Sequence, residues 1–188
     1  MATGRRAQTR RLSAMVAFCG MAAALSVVVM LTGGVLAVAT YAAPLLAAVL
    51  LLPLRVEFGP KAAWGTWGIT AALSLLLGLD REAACFYLFV GWWPIVKWTV
   101  ELRIKGRLPR TALKLLVFSA AVAAMYALLL LVVPVEALLA ELGEMGAWMR
   151  AGFFGGLVLC LMLYDRLLTP LSMLYAVRIQ PRLRSLLR

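Results

Sequence analysis

Histidine is absent from this 188-residue chain, acidic residues number only 8, and charged residues of both signs make up 14% of it. Without imidazole there is no histidine-based acid–base chemistry and no Cys/His metal site. Three cysteines, Cys19, Cys85 and Cys160, fall in apolar runs without metal-ligand spacing and read as small buried hydrophobes. Also missing are a nucleotide-binding glycine motif, a Ser/Lys or Cys/His nucleophile arrangement, and a carboxylate pair within an apolar run. No polar stretch is long enough to form a soluble catalytic domain. The expectation is a protein that is not an enzyme and binds neither metal nor cofactor.

What the chain does have is hydrocarbon: 64% of its residues are hydrophobic. A soluble domain is nearer half apolar and about a quarter charged, and a fold of this size could not hide the excess. The composition predicts an all-α integral membrane protein. Six continuous apolar runs can be drawn, at about 12–31, 35–54, 62–79, 83–100, 113–133 and 147–163. At about 1.5 Å per residue each covers most or all of a hydrocarbon core of about 30 Å. Continuous rather than alternating hydrophobicity argues against membrane strands. Thr32-Gly33-Gly34 reads as the break after the first run. "TRRLSAM" loosely resembles an export signal, with Ala37-Val38-Ala39 as a cleavage site, but the following run is long for a signal peptide. It is read as a retained first membrane helix.

The net charge of +11 would suggest nucleic acid in a soluble protein. Here the basic residues cluster between apolar runs. With six spans, sixteen of the nineteen lie on one side, including Arg10, Arg55, Lys61, Lys97, Arg107, Arg110, Lys114 and Arg178. Arg81 and Arg150 lie opposite, where Asp80, Glu82, Glu136, Glu141 and Glu144 also collect. With six transmembrane helices, the positive-inside rule then predicts both termini in the cytoplasm. Residues 1–11 form a basic tail, 12–177 the membrane domain and 178–188 a second basic tail. The bilayer is the expected partner, and no nucleic acid is.

Within this layout "RVEFGPKAAWGTWG" is a cytoplasmic turn. Gly59-Pro60 permits a sharp reversal and starts the third helix. Trp64 and Trp67 are placed as interfacial anchors, and Gly65, Gly68 and Ala72 share a face that admits a close helix neighbour. The last run has two readings. It continues as one long helix to about Val177, putting Asp165 and Arg166 at membrane depth as functional candidates, or it leaves the bilayer near Leu163 as a basic amphipathic segment.

Three features are candidates for function. Ser13, Ala17, Gly20 and Ala24 form a small-residue face on the first helix, either for packing within the chain or for docking on a partner membrane protein. In the fourth run, Glu82 at the outer end with Tyr87, Trp92 and Trp93, above Pro94, are candidate lining for a small-molecule pocket, or ordinary packing aromatics. Ser119, Ala123 and Ala127 form a small-residue stripe on the fifth, expected to make a close helix contact within the chain.

The basic, alanine-rich start "RRLSAMVAFCGMAAALSVVVML" and the segment "APLLAAVLLLPLRVEFGPKAAWGTWGITAALSLLL" resemble the substrate-binding S components of energy-coupling factor transporters. Motifs carry the resemblance over residues 10–79, and topology alone carries the rest. The chain departs from the family in lacking an Ala-x-x-x-Ala pair in helix one. Its nearest equivalents are Gly20-x-x-x-Ala24 and Ala22-x-x-x-Ser26. The resemblance implies a membrane subunit that captures a vitamin or other micronutrient from outside. A transmembrane T component and two ATPase subunits would be its partners and would supply the energy for import. The runner-up reading is a small membrane assembly or accessory protein with no transported ligand; a third, a lipid-modifying membrane enzyme, is disfavoured by the lack of a catalytic constellation.

Overall fold

A computed structural model describes residues 2–35, 40–77, 80–104, 106–132 and 146–181. The expected outer acidic residues Glu136, Glu141 and Glu144, the loop residue Lys105 and the basic positions Arg182, Arg184 and Arg188 lie outside these. Among the described residues there are helices and short turns and no strand. The helices are α1 (Ala2–Val35), α2 (Ala42–Val49), α3 (Leu51–Glu57), α4 (Pro60–Leu77), α5 (Arg81–Val90), α6 (Trp93–Arg103), α7 (Arg107–Val132) and α8 (Ala147–Leu174), with a π-helical turn Tyr175–Ile179 after α8. By length and composition, four stretches are long and apolar enough to cross a membrane: Leu12–Gly33, Arg81–Arg103, Arg107–Leu129 and Ala151–Arg178.

Several expected boundaries move, each for a local reason. The break at Thr32-Gly33-Gly34 does not occur, because α1 runs through both glycines to Val35. Thr32 Oγ1 donates back to the Val29 carbonyl at 2.9 Å. An interrupted ladder in an apolar run costs several kcal/mol per unpaired group, against about 1 kcal/mol for a helical glycine. The second run is two short helices rather than one. Pro53 cannot donate to Val49, and its ring crowds that carbonyl, so the ladder breaks at Leu50. Pro94 acts likewise on Val90 and ends α5 there, with Gly91 and Trp92 forming the turn before α6. The expected Gly59-Pro60 reversal is present: Gly59 has φ +88° and Pro60 is the first residue of α4. α8 continues past Leu163 and through Pro170 to Leu174, as the continuous-helix reading of the tail expects.

The chain divides into two compact units, Met1–Ile95 and Val96–Arg188. In the first, α1 packs on α2 and α4, while α5 packs on α2 and α4. Small residues set the spacing. Ala47 and Ala48 are fully buried, and Ser26 of α1 donates to the Ala47 carbonyl at 3.3 Å. Met30, Ala47, Ala48, Ala71 and Tyr87 form one core cluster, and Leu51, Leu54, Ala63 and Ile95 another. Arg55 reaches inward and donates from Nε to the Ile95 carbonyl at 3.3 Å. Gly65 and Gly68 receive no close neighbour, since a Cβ on either would meet nothing within 4 Å.

In the second unit α7 packs against α8. Tyr126 meets Phe154 edge-on, with ring centroids 4.9 Å apart. Of the three cysteines only Cys85 is buried; Cys19 is partly buried and Cys160 is exposed on α8. The expectation that all three are buried fails at Cys160, and in part at Cys19, because among the described residues none fully covers that side of either helix.

Candidate functional site

Among the described residues the most concentrated chemistry lies in the second unit, inside apolar helices. Lys97 and Glu101 stand one turn apart on α6, Lys114 near the start of α7, and Asp165 in the middle of α8. Lys97, Lys114 and Asp165 are 2%, 6% and 4% exposed. Asp165 bridges both ammonium groups, with Oδ1 at 2.8 Å from Lys97 Nζ and Oδ2 at 2.5 Å from Lys114 Nζ. Glu101 Oε1 accepts from the same two groups, at 3.1 Å and 2.9 Å. Lys97 Nζ also donates to the Asp165 backbone carbonyl at 2.6 Å.

Two positive and two negative charges therefore balance. All three N–H donors of Lys97 have acceptors, and two of those of Lys114 do. Burying an unpaired ion costs several kcal/mol, and pairing with further hydrogen bonds offsets that cost only when the geometry is good. Here it is good, and the result fixes the register of α6, α7 and α8 at one level. Arg110 extends the network by donating from Nη2 to the carbonyls of Glu101 and Ile104, which closes the end of α6.

Lys97 and Lys114, counted from the sequence among the cations of the basic side, are buried within α6 and α7, where Asp165 and Glu101 neutralise them. The cluster also shows which of the two neighbours on α8 is held. Asp165 is in the cluster, whereas Arg166 is exposed.

The sequence-predicted pocket residues lie in the first unit. Glu82 sits in the first turn of α5, partly buried, and its Oε1 accepts a hydrogen bond from the Tyr41 hydroxyl. Asp80 caps the same helix, its Oδ1 accepting from the Ala83 N–H at 3.0 Å. Tyr87 is 0% exposed, packed among Met30, Ala47, Ala48 and Ala71. Trp93 is 2% exposed. Trp92 is partly buried, stacked 6.4 Å from Trp64 and edge-on to Trp93 at 6.0 Å. Trp64 in turn meets Trp67 edge-on at 5.3 Å. The structure thus joins Trp92 and Trp93 to the two tryptophans of the Gly59-Pro60 turn, and joins Glu82 to Tyr41. Tyr87 and Trp93 present almost no surface to a ligand in this conformation.

The four small residues of α1 behave differently. Ser13, Ala17, Gly20 and Ala24 are all exposed, and a Cβ added to Gly20 would meet nothing within 4 Å. The buried side of α1, through Ala23, Ser26, Val27 and Met30, lies about a quarter turn round the helix from them. Sequence reasoning missed Tyr41 as a partner of Glu82 and missed the four-charge cluster. Only the Lys97-x-x-x-Glu101 spacing and the isolated Asp165 in an apolar run pointed toward the cluster. Among the described residues no group of three or more Cys, Asp or Glu is placed to hold a metal ion. No protein-family model, curated protein or solved structure matches the chain.

Proposed function

We propose that the chain is a multi-pass protein of the bacterial inner membrane and the substrate-capture subunit of an energy-coupling factor importer. It binds a small micronutrient from outside, while a T component and ATPase subunits drive import. It crosses the bilayer six times, with residues 1–11 and 178–188 in the cytoplasm. Two crossings are added to the four long apolar stretches: α2 with α3, about 24 Å of helix, and α4, about 27 Å. Sixteen of nineteen basic residues then share the cytoplasmic side. Glu82, Tyr87, Trp92 and Trp93 remain the candidate pocket groups, with Tyr41 added through its bond to Glu82.

The observation that carries this reading is the outward face of α1. Among the described residues nothing covers Ser13, Ala17, Gly20 and Ala24, and a stripe of small residues is how one membrane helix lets another approach closely. The accessory-protein reading has one observation in its favour. Tyr87 and Trp93 are core residues, and a pocket using them would have to open first.

The test is affinity purification of the tagged full chain from native membranes in mild detergent. The expected result is recovery of a T component and ATPase subunits with the wild type. Gly20→Leu should lower that recovery at least about tenfold, roughly 1.4 kcal/mol of association, without altering thermal unfolding. A wild-type chain that recovers no ATPase subunit, or a Gly20→Leu chain that recovers as much as wild type, contradicts the proposal.

A further inference from the structure

The stripe Ser119, Ala123 and Ala127 does not close a helix contact as expected. All three residues are exposed, and with Tyr126 and Phe154 they line an open, apolar groove of about 980 Å³ between α7 and α8. Arg166 stands at one end. The helices run antiparallel, with Tyr126 against Phe154 and Lys114 against Asp165, so Arg166 marks the end nearest the start of α7. That end is the basic one, with Arg107 and Arg110 on the first turns of α7.

Arg166 is exposed, and among the described residues it makes no ion pair or hydrogen bond. The neighbouring cluster does not need it, because Asp165 and Glu101 are already balanced by Lys97 and Lys114. One uncompensated guanidinium therefore faces the head of a groove whose remaining wall is almost entirely hydrocarbon.

We propose that this groove holds an anionic phospholipid, with an acyl chain laid along α7 and α8 and its phosphate on Arg166. Three observations fit that occupant. From Gly155 to Arg166 the helix rises about 16 Å, close to one leaflet of a hydrocarbon core of about 30 Å. The planar guanidinium matches a phosphate with two parallel hydrogen bonds. Basic pockets between membrane helices are where anionic headgroups bind. A partner helix fits less well, since it would lay apolar side chains over Arg166 and leave that charge uncompensated in the membrane. The proposal requires only that α7 and α8 cross a bilayer, and it stands apart from the importer reading.

The test uses the purified full chain in detergent, equilibrated with equal amounts of phosphatidylglycerol and phosphatidylcholine bearing the same acyl chains. Native mass spectrometry counts the lipids retained. The wild type should retain phosphatidylglycerol about fivefold over phosphatidylcholine, the preference one basic residue supplies. Arg166→Gln should abolish that preference and Arg166→Lys should keep most of it. Ala123→Leu, which fills the floor of the groove, should reduce retention of both lipids. Should Arg166→Gln fail to fold, the Arg166→Lys and Ala123→Leu results carry the test. Equal retention of the two lipids by the wild type overturns the proposal. So does an Arg166→Gln chain with the preference intact, or undiminished retention by Ala123→Leu. A wild-type dimer that Ala123→Leu turns into a monomer would assign the groove to a second copy and would overturn it as well.

Discussion

Asp165→Leu is expected to destabilise the chain by about 3–5 kcal/mol, read as a shift in the unfolding midpoint in detergent titrated with a denaturing surfactant. The substitution removes the carboxylate that bridges Lys97 and Lys114. Glu101 Oε1 would then be the one anionic acceptor shared by two buried ammonium groups, and the site would carry a net positive charge. Were the cluster a solvent-exposed ion-pair network, the loss would stay below about 1 kcal/mol. The burial of Lys97 and Lys114 decides for the larger figure. A second substitution separates charge balance from packing. Asp165→Asn keeps the shape and some hydrogen bonding but loses the charge. Adding Lys114→Met restores neutrality, with Lys97 opposite Glu101, and should recover a measurable part of the loss. If the double variant is no more stable than Asp165→Asn alone, charge balance is not what holds these three helices in register.

Gly91→Ala is the second large effect, at about 1–3 kcal/mol or more. A Cβ at Gly91 would lie 2.5 Å from the Tyr87 carbonyl oxygen and 2.9 Å and 3.0 Å from two Tyr87 ring carbons. The carbonyl cannot move freely, because it accepts from the Gly91 N–H at 2.7 Å and from Trp67 Nε1 at 3.4 Å. The ring cannot swing away either, being fully buried among small and aliphatic side chains. The methyl group must therefore open the turn between α5 and α6 or displace Tyr87. Gly152→Ala is the matched control. It sits in an exposed helical turn where an added Cβ meets nothing within 4 Å, and it should be neutral or slightly stabilising. Equal midpoint shifts for the two variants would remove the steric explanation.

These two sites also mark where the sequence stops being legible. Run length and composition located the apolar helices, and the Gly59-Pro60 signal located a real turn, because both depend on neighbouring residues. The break at Leu50 was also written locally, in Pro53, which acts four residues back on the carbonyl of Val49. By contrast, Lys97 and Asp165 are 68 residues apart and Lys114 and Asp165 are 51 apart. Nothing in a one-dimensional charge pattern pairs them, so the sequence shows two lysines on the basic side without the carboxylate that buries them. The small-residue stripes on α1 and α7 were visible as stripes. Whether each was covered depended on the placement of other helices, and both proved open. Tyr87 and Trp93 illustrate the same limit from the other side: aromatic identity does not distinguish a pocket wall from a core.

The importer proposal depends on six crossings with a basic cytoplasmic face, and accessibility of single cysteines tests that arrangement most directly. With Cys19, Cys85 and Cys160 replaced by alanine, Leu108→Cys places a thiol on an 85% exposed position just after the α6–α7 connection. Arg81→Cys places one at the exposed start of α5. A membrane-impermeant maleimide applied to intact cells should label the thiol at 81 and spare the one at 108 until the membrane is permeabilised. Labelling of position 108 in intact cells would put the α6–α7 connection outside and would contradict six crossings with a basic cytoplasmic face.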